Sequence, residues 1–160
     1  MHVPSPLEAL LRVRREIKQQ RERLLAAATA ECVRAEEVLS GAAQREAAQR
    51  VDLTECLEAQ ASGDPSRVAD RQTRERYAAR QRRELEARER QREQAAAALA
   101  ERRSERESAR RLLLDAETAL QVVERRAAAW DQARRAEEQR RAELELEDLI
   151  ASRQRGGTLP

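Results

Sequence analysis

Between Ala109 and Trp130, apolar residues fall at alternating steps of four and three: Ala109, Leu113, Ala116, Leu120, Val123, Ala127 and Trp130. This 3.5-residue period is the seam of a coiled coil, in which one apolar stripe of a helix packs against a second helix. Read backwards, the same count reaches Leu99, Ala95 and Leu85, with Arg88, Arg92, Arg102 and Arg106 interrupting it. Read forwards, it meets Arg134, Glu137, Arg141 and Leu144. The stripe is densest in its middle.

A partner for that stripe comes from the first sixty residues. Ser5, Pro6 and Glu8 form a helix start: the serine can cap free backbone N–H groups, the proline suits the first helical position, and the glutamate completes a capping box. Leu10, Val13, Ile17 and Leu24 follow a heptad, and the stripe moves on through Ala28, Cys32, Ala35, Leu39 and Ala42 to Leu53, Cys56 and Leu57. Two consecutive steps of four after Leu24 predict a stutter, a local unwinding of the supercoil. Gly41 costs about 1 kcal/mol in a helix interior, so the helix is expected to run through it. The break comes at Ser62-Gly63-Asp64-Pro65-Ser66, where the glycine ends one helix and the aspartate and proline start the next. A connection this short brings two helices back antiparallel.

The predicted fold is all-α, a long antiparallel two-helix coiled-coil hairpin with unequal arms. A leader (1–5) precedes helix 1 (6–62), the turn takes 63–66, helix 2 covers 67–153, and 154–160 form a tail. The expected core is Leu10, Ile17, Leu24 and Leu39 on helix 1 with Leu99, Leu113, Ala116 and Leu120 on helix 2. With the turn centred on Gly63 and Asp64, Leu7 is expected opposite Leu120, Leu10 near Glu117, and Leu24 near Arg103. Helix 1 is then exhausted near residue 121, and some thirty residues of helix 2, roughly 45–50 Å, continue as a single helix.

That overhang carries Val123, Trp130, Leu144, Leu149 and Ile150. Covering a large apolar side chain is worth on the order of 2 kcal/mol, so a partner is expected there. Three coverings are open: another protein, a second copy, or a longer turn that lets Leu7, Leu10 and Leu11 reach Trp130. Trp130, a large aromatic at a seam position, has the profile of an interface anchor. Glu143 and Glu147 belong to an acidic face suited to a basic surface. Tyr77 is read either as a patch on a thin part of the seam or as an exposed contact.

Composition narrows the function classes. Charged residues make up 39% of the chain and aromatics 1%, with no Phe, so a globular core cannot be filled. The prevalence of Ala, Arg, Glu, Gln and Leu favours long helix over disorder. Net charge is only +2, acids are interleaved with the arginines, and no aromatics alternate with them for base stacking, so nucleic acid is not an expected partner. Charge is nevertheless uneven: residues 12–23 carry six basic and two acidic groups, and residues 137–148 carry two and six. Cys32 and Cys56 lie roughly 36 Å apart on one helix, cannot pair there, and read as small core fillers. No apolar run approaches a membrane span and the N-terminus lacks a hydrophobic signal segment, so a soluble, unexported protein without direct membrane insertion is expected. The only His is His2, no phosphate loop or nucleophile elbow is present, and no catalytic, cofactor or metal site is expected.

The early segment Leu7-Glu8-Ala9-Leu10-Leu11-Arg12-Val13-Arg14-Arg15 and the terminal segment Arg135-Ala136-Glu137-Glu138-Gln139-Arg140-Arg141-Ala142-Glu143-Leu144-Glu145-Leu146-Glu147-Asp148, in a chain of this length and pattern, resemble the FliJ/YscO (SctO) family of type III secretion and flagellar export stalk proteins. The resemblance implies a cytoplasmic, non-enzymatic stalk, peripheral to the inner-membrane export apparatus. It further implies that the stalk sits in the pore of a hexameric export ATPase, touches the export gate protein and handles secretion chaperones. A self-associating structural coiled coil unrelated to secretion is the other reading.

Overall fold

The computed structural model describes residues 6–62 and 68–156. They form two helices, α1 (Glu8–Ser62) and α2 (Val68–Gly156), which pack antiparallel as an all-α coiled-coil hairpin with arms of 55 and 89 residues. α1 runs unbroken through Gly41, and Leu11 N–H donates to the Leu7 carbonyl at 2.8 Å in its first turn. The expected cap at Ser5 and the break at Gly63, Asp64 and Pro65 lie outside the described residues. The chain divides into two compact units, Met1–Glu22 with Leu112–Pro160 and Arg23–Arg111.

In the unit of residues 23–111, the inward positions of α1 are Leu25, Ala28, Cys32, Ala35, Leu39, Ala42, Glu46, Gln49, Leu53, Cys56 and Gln60. They follow the 4–3 count without a slip. Across from them stand Ala78, Gln81, Leu85, Arg88, Ala95, Leu99 and Ala109 of α2. Cys32, Ala42, Ala78 and Leu99 are the most deeply buried apolar residues, while Leu39 is half-buried. Most interior side chains are small, so the helices approach closely with little bulk between them.

Antiparallel direction and register are visible in the pairs that cross between the helices. Arg103 Nη2 donates to Glu36 Oε1 at 2.9 Å, Arg50 pairs with Glu89 at 3.1 Å, Gln49 bonds Gln81, and Gln60 Nε2 donates to the Arg74 carbonyl at 2.6 Å. This corrects the expected register, since Arg103 meets Glu36 and not Leu24. Among the described residues, Gln60 with Arg74, Arg50 with Glu89 and Arg103 with Glu36 set α1 roughly two to three turns further along α2 than a turn centred on Gly63 and Asp64 predicts.

In the other unit, Leu7, just before α1, and Leu11, Arg14, Lys18 and Arg21 of α1 are inward. They meet α2 at Leu113, Ala116, Leu120, Val123, Ala127 and Trp130. Ala116, Leu120, Val123 and Ala127 are buried, Leu113 and Trp130 half-buried. Arg15 pairs with Glu124 at 3.7 Å and Lys18 with Glu117 at 3.7 Å. Glu117 is thus matched to Lys18, where Leu10 was expected.

Two expected core residues are corrected here. Leu10 and Leu24 are 40% and 52% exposed, and Ile17 is only half-buried. The inward residue follows each by one: Leu11, Lys18 and Leu25. The stutter expected after Leu24 disappears with it, because Leu25, Ala28 and Cys32 keep the 4–3 count. Long basic side chains can take inward positions because their aliphatic stems pack while their heads reach water.

Candidate partner-binding surface

The seam of α2 ends at a specific structure. Trp130 is half-buried at the last apolar inward position, and the Arg134 guanidinium lies over its ring at 5.4 Å from the centroid. Arg134 also pairs with Glu138 at 3.8 Å. A cation over an indole face contributes about 0.5–1 kcal/mol at an exposed site. On α1, Glu8, Leu11, Arg12 and Arg15 line a cleft with Ala127 and Asp131. The first turn of α1 therefore reaches the level of Asp131, so among the described residues α1 covers α2 to beyond Asp131, not to near 121.

That shift sorts the expected partner-binding residues. Val123 is 7% exposed inside the hairpin, which corrects its placement on the overhang: α1 is long enough to cover it. Leu144, Leu149 and Ile150 are 61%, 61% and 56% exposed, and Leu146 is exposed beside them. Glu143 and Glu147 are exposed on the same stretch. The helix holds itself there through local pairs such as Arg141 with Glu137, each worth a few tenths of a kcal/mol. The last turns of α2 thus combine an acidic face with apolar side chains that are exposed among the described residues.

Tyr77 belongs to the other unit and does not join this surface. It is 53% exposed, beside the buried Ala78. With Cys56, Ala59, Gln60, Thr73 and Arg74 it lines an open cleft of about 490 Å³.

A buried ionic site went unread in the sequence. Glu46 is 2% exposed at an inward position of α1. Arg50 reaches it at 2.6 Å from its own helix. Arg92 Nε lies 2.9 Å from its other oxygen, an ionic contact whose N–H points off the hydrogen-bond line. The 4–3 count from Cys32 through Leu39 and Ala42 lands on Glu46, and the α2 count lands on Arg92, so the signal was present. Elsewhere, Arg102 donates to Glu105 at 2.8 Å, which raises the guanidinium pKa further above its ordinary value. Among the described residues no group of His, Cys, Asp and Glu could hold a metal ion, and no helix is long and apolar enough to cross a membrane.

Comparison with protein-family models, with curated proteins and with solved structures finds no match for this chain. What its own geometry establishes is an all-α antiparallel coiled-coil hairpin in which the longer helix outruns its partner.

Proposed function

We propose that this chain is a non-catalytic stalk of a type III secretion or flagellar export apparatus, which couples a hexameric export ATPase to the export gate and receives secretion chaperones. The observation that carries this reading is the length of α2 beyond Asp131, where exposed Leu144, Leu149 and Ile150 stand among Glu143, Glu147 and their acidic neighbours. A single helix with acidic and apolar faces can enter the pore of a ring and contact its subunits unequally, by charge at the rim and by apolar anchors at the centre. The resemblance of the Leu7–Arg15 and Arg135–Asp148 segments to FliJ/YscO stalk proteins supplies the identity of that ring. Trp130 and Leu144 mark the base and the body of the contact.

The double variant Trp130→Glu, Leu144→Glu is expected to reduce co-purification with the hexameric export ATPase at least tenfold, with helical content by circular dichroism unchanged. A hot-spot loss of about 2 kcal/mol or more corresponds to that effect. Co-purification at the level of the unaltered chain would overturn the reading.

A further inference from the structure

Along residues 70–94 arginines and acids are interleaved in sequence, yet the helix separates them in space. Arg76, Arg80, Arg83 and Arg90 of α2 follow one another at steps of four, three and seven. Arg76 and Arg80 stand two residues either side of the inward Ala78, Arg83 two after Gln81, and Arg90 two after Arg88. At about 100° per residue, that is the far side of the helix from α1. All four are exposed. The other places on the same line are Ala87, Gln94 and Ala97, so no acid lies on it over the roughly 21 Å from Arg76 to Arg90.

Like charges three and four residues apart on a helix repel. Elsewhere on α2 arginines are neutralised locally: Arg88 pairs with Glu84, Arg102 with Glu105 and Arg141 with Glu137. Arg76 has no acid three or four residues away, and Glu84 beside Arg80 is held by Arg88. Among the described residues none of the four arginines forms an ion pair.

A line of unneutralised guanidinium groups suits an anionic partner, and its period and width select the kind. Steps of four and three keep the arginines on one face of a supercoiled pair, the period with which another helix lies alongside. The line is also narrow. Glu75, Glu86 and Glu93 border it on one side and Glu84 on the other, so a nucleic acid duplex or a membrane surface, each wider than one helix, meets those acids too. A single helix, about 10–12 Å across, rests on the arginines alone. Within the described helices of this chain, the one run of three acids with such steps is Glu86, Glu89 and Glu93, and Arg50 already holds Glu89. The chain's own helices therefore offer no free complement.

We propose that Arg76, Arg80, Arg83 and Arg90 form the docking line for an acidic helix of another protein, whose carboxylates recur at steps of four and three. Each guanidinium then takes a carboxylate as its partner, and the repulsion along the line is removed. This inference does not rest on the export reading, which uses the part of α2 beyond Asp131.

Fluorescence anisotropy on the full chain, with two labelled alanine-based helical peptides of identical composition, tests it. One peptide carries glutamates at steps of four and three along a single face; the other spreads the same glutamates around the helix. At low salt the aligned peptide is expected to bind about tenfold or more tighter than the other, and to be released as salt rises. Arg76→Glu with Arg80→Glu changes two exposed residues, so helical content by circular dichroism is retained, and the aligned peptide is expected to bind about tenfold or more weaker. Arg125→Glu with Arg126→Glu, exposed but off the line, is expected to leave binding unchanged. Equal binding of the two peptides, binding of neither, or an Arg76→Glu, Arg80→Glu variant that binds like the unaltered chain overturns the proposal. So does a short RNA duplex or a phosphatidylserine vesicle that binds more tightly than the aligned peptide and is lost in the same variant.

Discussion

Leu120→Lys is expected to detach the first turns of α1 from α2, lowering the thermal midpoint sharply, whereas Leu120→Glu at the same position costs far less. The asymmetry follows from what α1 brings to that layer. Its inward positions there are Arg14, Lys18 and Arg21, and Lys18 shares a cleft with Leu120, Glu117 and Glu124, the two glutamates being already paired with Lys18 and Arg15. Losing the buried leucine, itself 8% exposed, costs about 3 kcal/mol in either variant. A lysine then adds like-charge repulsion inside a partly desolvated seam, while a glutamate gains Lys18 or Arg14 as a partner and recovers about 1 kcal/mol. Circular dichroism melts of the two variants measure the difference directly. Equal destabilisation would show that the basic residues of α1 do not face this layer.

Removing the Glu46–Arg92 pair in two ways should move stability in opposite directions. Glu46→Ala leaves a small void and brings Arg50 and Arg92 together without their shared carboxylate, at a cost of about 2 kcal/mol. Both arginines are half-exposed and can turn to water, so the cost stays below that of a fully enclosed broken pair. Glu46→Leu with Arg92→Leu fills the layer instead and is expected to raise the melting point, worth about 1–2 kcal/mol. The gain in stability carries a loss of specificity. A charged pair at facing inward positions admits only one alignment, whereas a leucine layer also fits shifted registers and higher oligomers. Sedimentation of the double variant is expected to show mixed species. A lower melting point for the leucine pair would contradict this assignment of the site.

The α2 seam was legible in the sequence because its inward positions from Ala109 to Trp130 are all apolar, and the count survived even across Arg88, Arg92, Arg102 and Arg106. α1 was legible only in part. Several of its early large apolar residues, Leu10, Val13, Ile17 and Leu24, lie one position before the inward stripe, and the stripe itself includes Arg14, Lys18, Arg21, Glu46, Gln49 and Gln60. Following the large apolar residues therefore leads to the wrong face. Polar side chains with long stems serve inside a two-helix pair because the interior is only one layer deep and water is always within reach of the head group.

Register was hidden for a related reason. With so many small and polar inward residues, no single apolar layer has a unique partner, and the break near Gly63 does not by itself say where the helices first touch. The alignment is carried by flank charges such as Arg15 with Glu124, Glu36 with Arg103 and Arg50 with Glu89, each paired across the helices. That alignment decided which partner-binding residues remain uncovered. Val123 moved inside the hairpin, and Leu144, Leu149 and Ile150 stayed outside.

Hydrogen exchange on the full chain tests most directly whether the end of α2 is the working surface. Alone, residues 137–156 should exchange fastest of the helical amides, because their side chains are exposed almost throughout among the described residues. With the hexameric export ATPase added, the same residues should become protected while the amides of the 23–111 unit stay unchanged. Unaltered exchange over 137–156 in the presence of the ring, or protection confined to 23–111, would contradict the account.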